Sequence, residues 1–306
     1  MATISAGLVK ELREKTGAGM MDCKKALSAT DGDMQKAIDY LREKGIAKAE
    51  KKAGRIAAEG AVAAYVSADA KTGVLVEINC ETDFAAGNDQ FRSLEKTIAE
   101  HIATAAPADL DALNDSMIDG KKVSDLITEA TATIGEKISL RRFVRYQTEG
   151  RLASYIHMGG KVGVLVEVAT DEAGRDNEDV KQFAHDLALQ IAAARPEAVR
   201  REEVASDKLE KEKEIQRAKA IEAGKPEKIV DRIVDGQIEK YYKEVCLLDQ
   251  AFVKDPDKDI KSLMAEVSKK AGVALDVVRF ARFERGEGIE KRKDDLAAEI
   301  AAMQKA

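Results

Sequence analysis

GAVAAYV at residues 60–66 and KTGVLVE at residues 71–77 recur ninety residues later as GRLASYI (150–156) and KVGVLVE (161–167). Each copy consists of two runs rich in β-branched and other apolar residues, separated by a turn, which is the pattern of a β-hairpin. The recurrence at one offset predicts a duplicated scaffold. The expected strands are residues 60–67, 73–80, 150–157 and 163–170.

After each hairpin the sequence predicts a helix and then a third strand. Apolar residues at three- and four-residue spacing mark one buried face of each helix. These residues are Phe91, Leu94, Ile98 and Ile102 in the first copy, and Val180, Phe183, Leu187 and Ile191 in the second. The third strands, RFVRY at 142–146 and RFARF at 279–283, are 137 rather than 90 residues apart, so 47 extra residues lie inside the second copy.

The insertion predicts an antiparallel helical hairpin. Residues 204–222 are dense in Lys and Glu, a turn follows at 223–226, and apolar residues at helical spacing continue to Val245. Two helices of roughly twenty residues would project by about 30 Å. Such an arm serves a partner or self-association, or it is a solvated projection without a partner, and the sequence leaves these readings open.

The two ends of the chain predict further helices. Residues 5–45 read as three short helices, with Ser5 and Asp33 able to cap the first and the third, and with the third ending at Gly45. Residues 44–55, rich in Ala, Lys and Gly, are expected to form a helical or flexible linker. A last helix is expected after the glycines at 286 and 288.

These patterns predict an α+β protein with five parts. The parts are an N-terminal three-helix module and linker (1–55), core repeat 1 (56–149), core repeat 2 (150–203 and 246–285), the inserted hairpin (204–245) and a C-terminal helical module (286–306). Each core repeat is expected to hold an antiparallel three-stranded sheet with helices. We call the two core repeats the first and the second copy.

Composition argues against several classes of function. Aromatic residues make up 4% of the chain, Trp is absent and the net charge is −6, so a protein that stacks bases or binds phosphate backbones is disfavoured. Three isolated cysteines without Cys-x-x-Cys spacing, together with three scattered histidines, predict neither a disulfide framework nor a metal site. No apolar run is long enough to span a membrane and no signal peptide is visible, so a cytoplasmic location is expected.

The copies differ most where the first reads INCETDF over residues 78–84. Phe84 follows the predicted hairpin and precedes a polar loop, so it is either a core residue or an exposed side chain that inserts into another protein. Asp83 by itself is typical of a capping carboxylate, and Cys80 of a buried thiol. No catalytic constellation accompanies Asp83 or His157, because the orienting partners that a hydrolase needs are missing from the sequence pattern.

Two long motifs carry a resemblance to a known family. LREKTGAGMMDCKKAL at residues 12–27 and EINCETDF at residues 77–84 resemble the signatures of the elongation factor Ts family. The duplicated core, the inserted hairpin and the final helix extend the resemblance over the whole chain. The family pattern usually continues Phe-Val, whereas this chain has Ala85 after Phe84.

The resemblance implies a guanine-nucleotide exchange factor, not an enzyme, that needs no cofactor. Its partner would be the GDP-bound GTPase elongation factor Tu, and its N-terminal module would have a UBA-like fold. Thr82, Asp83, Phe84 and Ala85 would then disturb the magnesium site of that partner. The other implied contact residues are Arg13, Met20, Met21, Ile134 and His157.

Two other readings remain open at this stage. In one, the chain is a non-catalytic binding or assembly protein that uses its N-terminal helices for capture and its hairpin for homodimer formation. In the other, ranked last, it is a hydrolase that uses Asp83 or His157.

Overall fold

A computed structural model describes residues 4–290 of the chain. The helices are α1 (Ala6–Thr16), α2 (Met20–Ala29), α3 (Met34–Lys52), α4 (Asp83–Ala86), α5 (Asp89–Ala105), α6 (Leu110–Asp115), α7 (Val123–Ile134), α8 (Glu172–Asp176), α9 (Glu178–Ala194), α10 (Ser206–Glu222), α11 (Glu227–Val245) and α12 (Ile260–Ala271). The strands are β1 (Glu59–Val66), β2 (Thr72–Cys80), β3 (Met117–Ile118), β4 (Lys121–Lys122), β5 (Ser139–Gln147), β6 (Arg151–His157), β7 (Val162–Ala169), β8 (Ala251–Phe252), β9 (Asp255–Asp259) and β10 (Asp276–Glu284). The helix predicted after residue 288 lies almost wholly in 291–306, outside the described residues. The mixture of helices with small antiparallel sheets confirms the α+β class.

The N-terminal module has the three predicted helices, but the third is longer than predicted. Ser5 and Asp33 cap α1 and α3 by accepting the backbone N–H of Leu8 and of Lys36, as expected. The prediction that α3 ends at Gly45 is wrong, because the helix continues to Lys52. A Cβ on Gly45 would lie 3.1 Å from the Cβ of Ala132 on α7, so this glycine allows close packing instead of ending the helix.

The duplicated core consists of two three-stranded antiparallel sheets, with strand orders β1-β2-β5 and β10-β7-β6. Their central strands, β2 and β7, are buried along nearly their whole length. Helix α5 packs on the first sheet and α9 on the second, and the predicted apolar faces of both helices supply core residues. Hairpins, helices and third strands therefore follow the predicted order.

The two copies pack against each other with approximate twofold symmetry. The backbone N–H of Val62 donates to the carbonyl of Gly160 at 2.8 Å, and the N–H of Leu152 donates to the carbonyl of Ala70 at 2.8 Å. Because these residues correspond at an offset of ninety, the second bond is the first with the copies exchanged. The apolar side chains of Val62, Leu75, Leu152, Leu165, Ala281 and Phe283 fill the space between the sheets. The symmetry of the sequence thus becomes a symmetric interface.

The inserted hairpin forms two antiparallel helices, α10 and α11, of 17 and 19 residues. At 1.5 Å per residue they are about 26 and 29 Å long. Ala220, Val230, Val234 and Ile238 form a narrow apolar seam between them. At the base of the hairpin, Lys208 on α10 binds Glu197 of the second copy at 2.7 Å. The insertion is therefore a two-helix arm that contacts the second copy at its base.

Candidate functional site

Residues 82–87, which we call the Phe84 turn, connect β2 to α5. Thr82 has extended backbone angles and caps the single helical turn of α4, because its Oγ1 accepts the N–H of Ala85 at 3.2 Å. In this short turn successive side chains point in different directions. Ala85 is buried in the core of the first copy, whereas Phe84 is 88% exposed. The structure therefore decides between the two readings of Phe84, which is not a core residue.

The exposure of Phe84 makes it a candidate contact residue. Among the described residues no other large apolar side chain is as exposed. An aromatic ring in water loses the free energy that burial would give it, and aromatic residues are frequent among the residues that dominate binding energy at interfaces. Asp83, the preceding residue on α4, is also exposed and carries a carboxylate. The turn thus presents an apolar group and an anionic group together.

The second copy contains the same turn without the aromatic ring. Asp171 caps α8 by accepting the N–H of Gly174 at 2.8 Å, as Thr82 does for Ala85 in the first copy. Two residues after the cap, where the first copy has Phe84, the second has Ala173. The offset at the cap is 89 instead of 90, and this one-residue shift hides the correspondence in the sequence. The difference between the turns themselves is therefore smaller than predicted, and its main element is the ring of Phe84.

Cys80 lies directly behind the Phe84 turn and is a buried thiol, as expected. Its Sγ contacts the carbonyl oxygen of Thr82 at 3.1 Å. Burial, reinforced by the nearby Glu136 carboxylate, raises the pKa of the thiol to about 12. Because the thiolate is the nucleophilic form, Cys80 is unreactive near neutral pH and serves to hold the turn.

Arg13, Met20 and Met21 lie on the surface of the N-terminal module. Met20 and Met21 are 53% and 63% exposed, so neither belongs to the core of this module. The α1–α2 turn that precedes them contacts the first copy: a Cβ on Gly17 would lie 3.1 Å from Nε2 of Gln90 and 3.4 Å from Cγ2 of Thr133. Gln90 follows the Phe84 turn, and Thr133 precedes Ile134.

The structure therefore brings three of the predicted contact segments to one region. These are the start of α2 with Met20, the Phe84 turn, and the end of α7 with Ile134. Ile134 is half-buried and packs against the core of the first copy, so part of its surface remains available.

His157 lies apart from that region, at the end of β6 in the second copy. It is exposed, and its Nδ1 is 3.0 Å from the hydroxyl of Tyr155. The hairpin that carries it continues to Gly160, whose carbonyl binds β1 of the first copy. The contact with Tyr155 orients the ring of His157 without linking it to Asp83.

One residue that the sequence did not indicate is Glu136. Its carboxylate accepts the N–H and the hydroxyl of Thr82 at 2.9 and 2.7 Å. A comparison of the copies could have indicated Glu136. Gly135 and Gly272 correspond, because they end α7 and α12, but the next residue is Glu136 in the first copy and Val273 in the second.

Across residues 4–290, no group of three or more His, Cys, Asp and Glu side chains could hold a metal ion. The same residues contain no helix long and apolar enough to cross a membrane.

Comparisons with known proteins agree with the resemblance. The family model described as Elongation factor TS matches residues 81–287. The chain is 52% identical over 302 residues to Elongation factor Ts of Clostridium perfringens (strain SM101 / Type A), which covers 98% of this chain and 99% of that protein. It is 49% identical over 304 residues to Elongation factor Ts of Trichlorobacter lovleyi, covering 98% of each chain. Because the family model matches more than half of the chain and these relatives are about 50% identical over nearly its full length, the chain belongs to the elongation factor Ts family.

Proposed function

We propose that the chain is a guanine-nucleotide exchange factor for elongation factor Tu. Family membership establishes a role in translation elongation. The finer proposal is that the chain binds the GDP-bound partner and promotes GDP release without making or breaking a covalent bond. The observation that supports it most strongly is the exposed Phe84 on a capped turn, present in one copy of a duplicated scaffold and replaced by Ala173 in the other.

In this proposal the Phe84 turn acts on the magnesium and phosphate site of the partner. Phe84 inserts into the nucleotide-binding domain, and Asp83 accompanies it as an anionic group. Thr82 caps the turn and Ala85 anchors it in the core. A magnesium ion is one of the largest local charges at a nucleotide site, so displacing it weakens GDP binding.

The remaining predicted residues would hold the partner while the turn acts. Arg13, Met20 and Met21 form the contact surface of the N-terminal module, and flexible methionine side chains suit a surface that must adapt to its partner. Ile134 extends this surface, and His157 adds a second contact from the other copy. We place this complex in the cytoplasm.

Exchange by linkage gives a direct test. If the chain lowers the affinity of elongation factor Tu for GDP by some factor, GDP must lower the affinity for the chain by the same factor. We expect the chain to accelerate release of a fluorescent GDP from elongation factor Tu, and we expect the two factors to agree. Binding without any acceleration would contradict the proposal.

The alternative is a non-catalytic binding or assembly protein, and the two-helix arm formed by α10 and α11 is the feature that favours it. It predicts complex formation with no effect on GDP release, so the same measurement separates the two functions. Three statements stay predictions: the chain forms a homodimer through this arm, it does not bind nucleic acid directly, and it is divided into five parts.

A further inference from the structure

Two segments of the first copy are joined by reciprocal bonds between carboxylates and backbone. Thr82 donates its N–H to Oε2 of Glu136 at 2.9 Å, and its hydroxyl to Oε1 of Glu136 at 2.7 Å. In return, Lys137 donates its N–H to Oε1 of Glu81 at 2.7 Å. We call these four residues the Glu136 brace. Both carboxylates are anionic acceptors, and such hydrogen bonds are about twice as strong as neutral ones.

The hydroxyl of Thr82 connects the brace to the cap of α4. A hydroxyl has one hydrogen to donate and two lone pairs to accept with. Because the hydrogen points to Glu136, the lone pairs are directed elsewhere, and one of them accepts the N–H of Ala85 at 3.2 Å. Glu136 thus fixes the rotation of the hydroxyl that caps the Phe84 turn.

Further contacts tie the brace to the segment that follows α3. Nζ of Lys137 donates to the carbonyl of Arg55 at 2.9 Å, and the guanidinium of Arg55 lies 3.2 Å from the Glu81 carboxylate. Nζ of Lys52, at the end of α3, donates to the carbonyl of Gly135. The brace therefore lies where the N-terminal module, α7 and the Phe84 turn meet.

The second copy provides an internal comparison. Val273 stands at the position of Glu136, and a Cβ on Gly174 would lie 3.1 Å from its Cγ2. The turn without an exposed aromatic ring is thus supported by an apolar contact. The turn that carries Phe84 is supported by a carboxylate that binds two polar atoms of its cap.

We propose that Glu136 is a positioning residue for Phe84. It holds the cap of the turn so that the ring is already oriented when a partner is met. This inference rests on the proposed exchange function, in which Phe84 acts only after the complex has formed. A fixed ring avoids the free-energy cost of ordering the turn in the complex. Loss of the brace should therefore reduce the maximal effect on GDP release more than it reduces binding.

The first test measures the turn itself, without a partner. Glu136→Ala should raise the native-state hydrogen-exchange rate of the Thr82 and Ala85 amides by about tenfold or more. Glu136→Gln keeps one acceptor oxygen, enough for the N–H of Thr82 but not also for its hydroxyl, and should give protection between that of the wild-type chain and that of Glu136→Ala. Glu100→Gln removes an exposed carboxylate on α5 and serves as the matched control, with no expected change. Equal exchange rates in the wild-type chain and in Glu136→Ala would overturn the proposal.

The second test follows GDP release from elongation factor Tu as a function of the concentration of the chain. With Glu136→Ala we expect the maximal rate to fall by about tenfold, and the half-saturating concentration to change by less than about threefold. Glu136→Gln, which keeps one of the two acceptor oxygens, should give a maximal rate between those of Glu136→Ala and the wild-type chain. A larger change in the half-saturating concentration than in the maximal rate would overturn the positioning role.

A second variant keeps the inference testable if Glu136→Ala does not fold. Thr82→Val is nearly isosteric but lacks the hydroxyl, so it should reproduce the loss of maximal rate, whereas Thr82→Ser should not. If the wild-type chain fails to accelerate GDP release, the nucleotide-exchange function is refuted, and the hydrogen-exchange rates of the Thr82 and Ala85 amides still test the brace. If the wild-type chain and Glu136→Ala accelerate GDP release equally, the positioning role alone is refuted.

Discussion

Phe84 and Ala85 are neighbours in the chain with opposite environments, because the short capped turn that contains both points their side chains in different directions. The ring of Phe84 is in solvent, while the methyl group of Ala85 packs with the core of the first copy. The departure from the usual Phe-Val pattern therefore changes the support beneath the turn and leaves the exposed ring in place. At this scale, the proposed function depends on the directions that the cap gives to two adjacent side chains.

Glu95 on α5 is a buried carboxyl group that the proposed function does not use. It is 8% exposed, and its Oε1 makes no hydrogen bond within residues 4–290. Burial raises the pKa of this group to about 7, only partly offset by the positive charge of Arg92. In the second copy the corresponding residue is Ala184, which is also buried.

We predict that Glu95 makes the chain less stable as pH rises from about 5 to 8. The folded state keeps its proton up to about pH 7, whereas the unfolded state loses it near pH 4.5, so folding takes up a proton in this interval. Replacing Glu95 by Gln should remove up to about 3 kcal/mol of this pH dependence. Urea unfolding of both proteins at pH 5 and pH 8 measures it. Parallel pH dependences would contradict the assignment.

At the scale of elements, the same capped turn follows β2 and β7 but has different neighbours and a different exposed side chain in the two copies. In the first copy the turn has Glu136 behind it and lies next to the N-terminal module. In the second copy Val273 packs against Gly174, and Ala173 stands in place of the ring. The turn is thus a shared structural unit, and its surroundings distinguish the copies.

We predict that an aromatic ring alone does not transfer the function. The double variant Phe84→Ala with Ala173→Phe should release GDP from elongation factor Tu as slowly as Phe84→Ala alone, because the second turn lacks the carboxylate and the neighbouring module. Stopped-flow release of fluorescent GDP measures this. Recovery of the wild-type rate by the double variant would show that the position of the ring does not matter.

At the scale of the whole molecule, Glu77 on β2 joins the first copy to the segment after β10. It is fully buried and accepts hydrogen bonds from Arg141, Arg142, Asn79 and the N–H of Gly286. Burial alone would raise the pKa of this carboxyl, but the four donors outweigh it and hold the pKa below its ordinary value. Its counterpart, Glu167, binds Arg279 at 2.7 Å.

We predict unequal costs for removing these two charges. Glu77→Gln should lower the free energy of unfolding by about 2 to 4 kcal/mol, because four donors converge on this fully buried carboxylate and an amide cannot accept from all of them. Glu167→Gln breaks an ion pair whose Arg279 remains partly in solvent, and should cost about 1 kcal/mol. Urea unfolding of the two variants checks the difference. Equal costs would show that the four donors around Glu77 do not make its charge more important to stability than that of Glu167.

The sequence predicted the core well because its signals are local. The repeated runs at an offset of ninety located β1, β2, β6 and β7 to within one or two residues. Gly45 misled the prediction of α3, since a glycine that permits close packing looks like one that ends a helix. The bond between Thr82 and Glu136 spans 54 residues and leaves no local pattern. The exposure of Phe84 depends on the cap geometry, which residue types alone do not determine.

The rate at which Phe84→Ala promotes GDP release from elongation factor Tu tests most directly the central claim that Phe84 drives this release. At saturating concentrations of the chain, we predict that this variant lowers the rate of GDP release from elongation factor Tu by about tenfold or more. Its affinity for nucleotide-free elongation factor Tu should change by less than about threefold, because the other contacts remain. Met117→Ala, which removes another exposed apolar side chain of the first copy, serves as the control. A release rate equal to that of the wild-type chain would contradict the account.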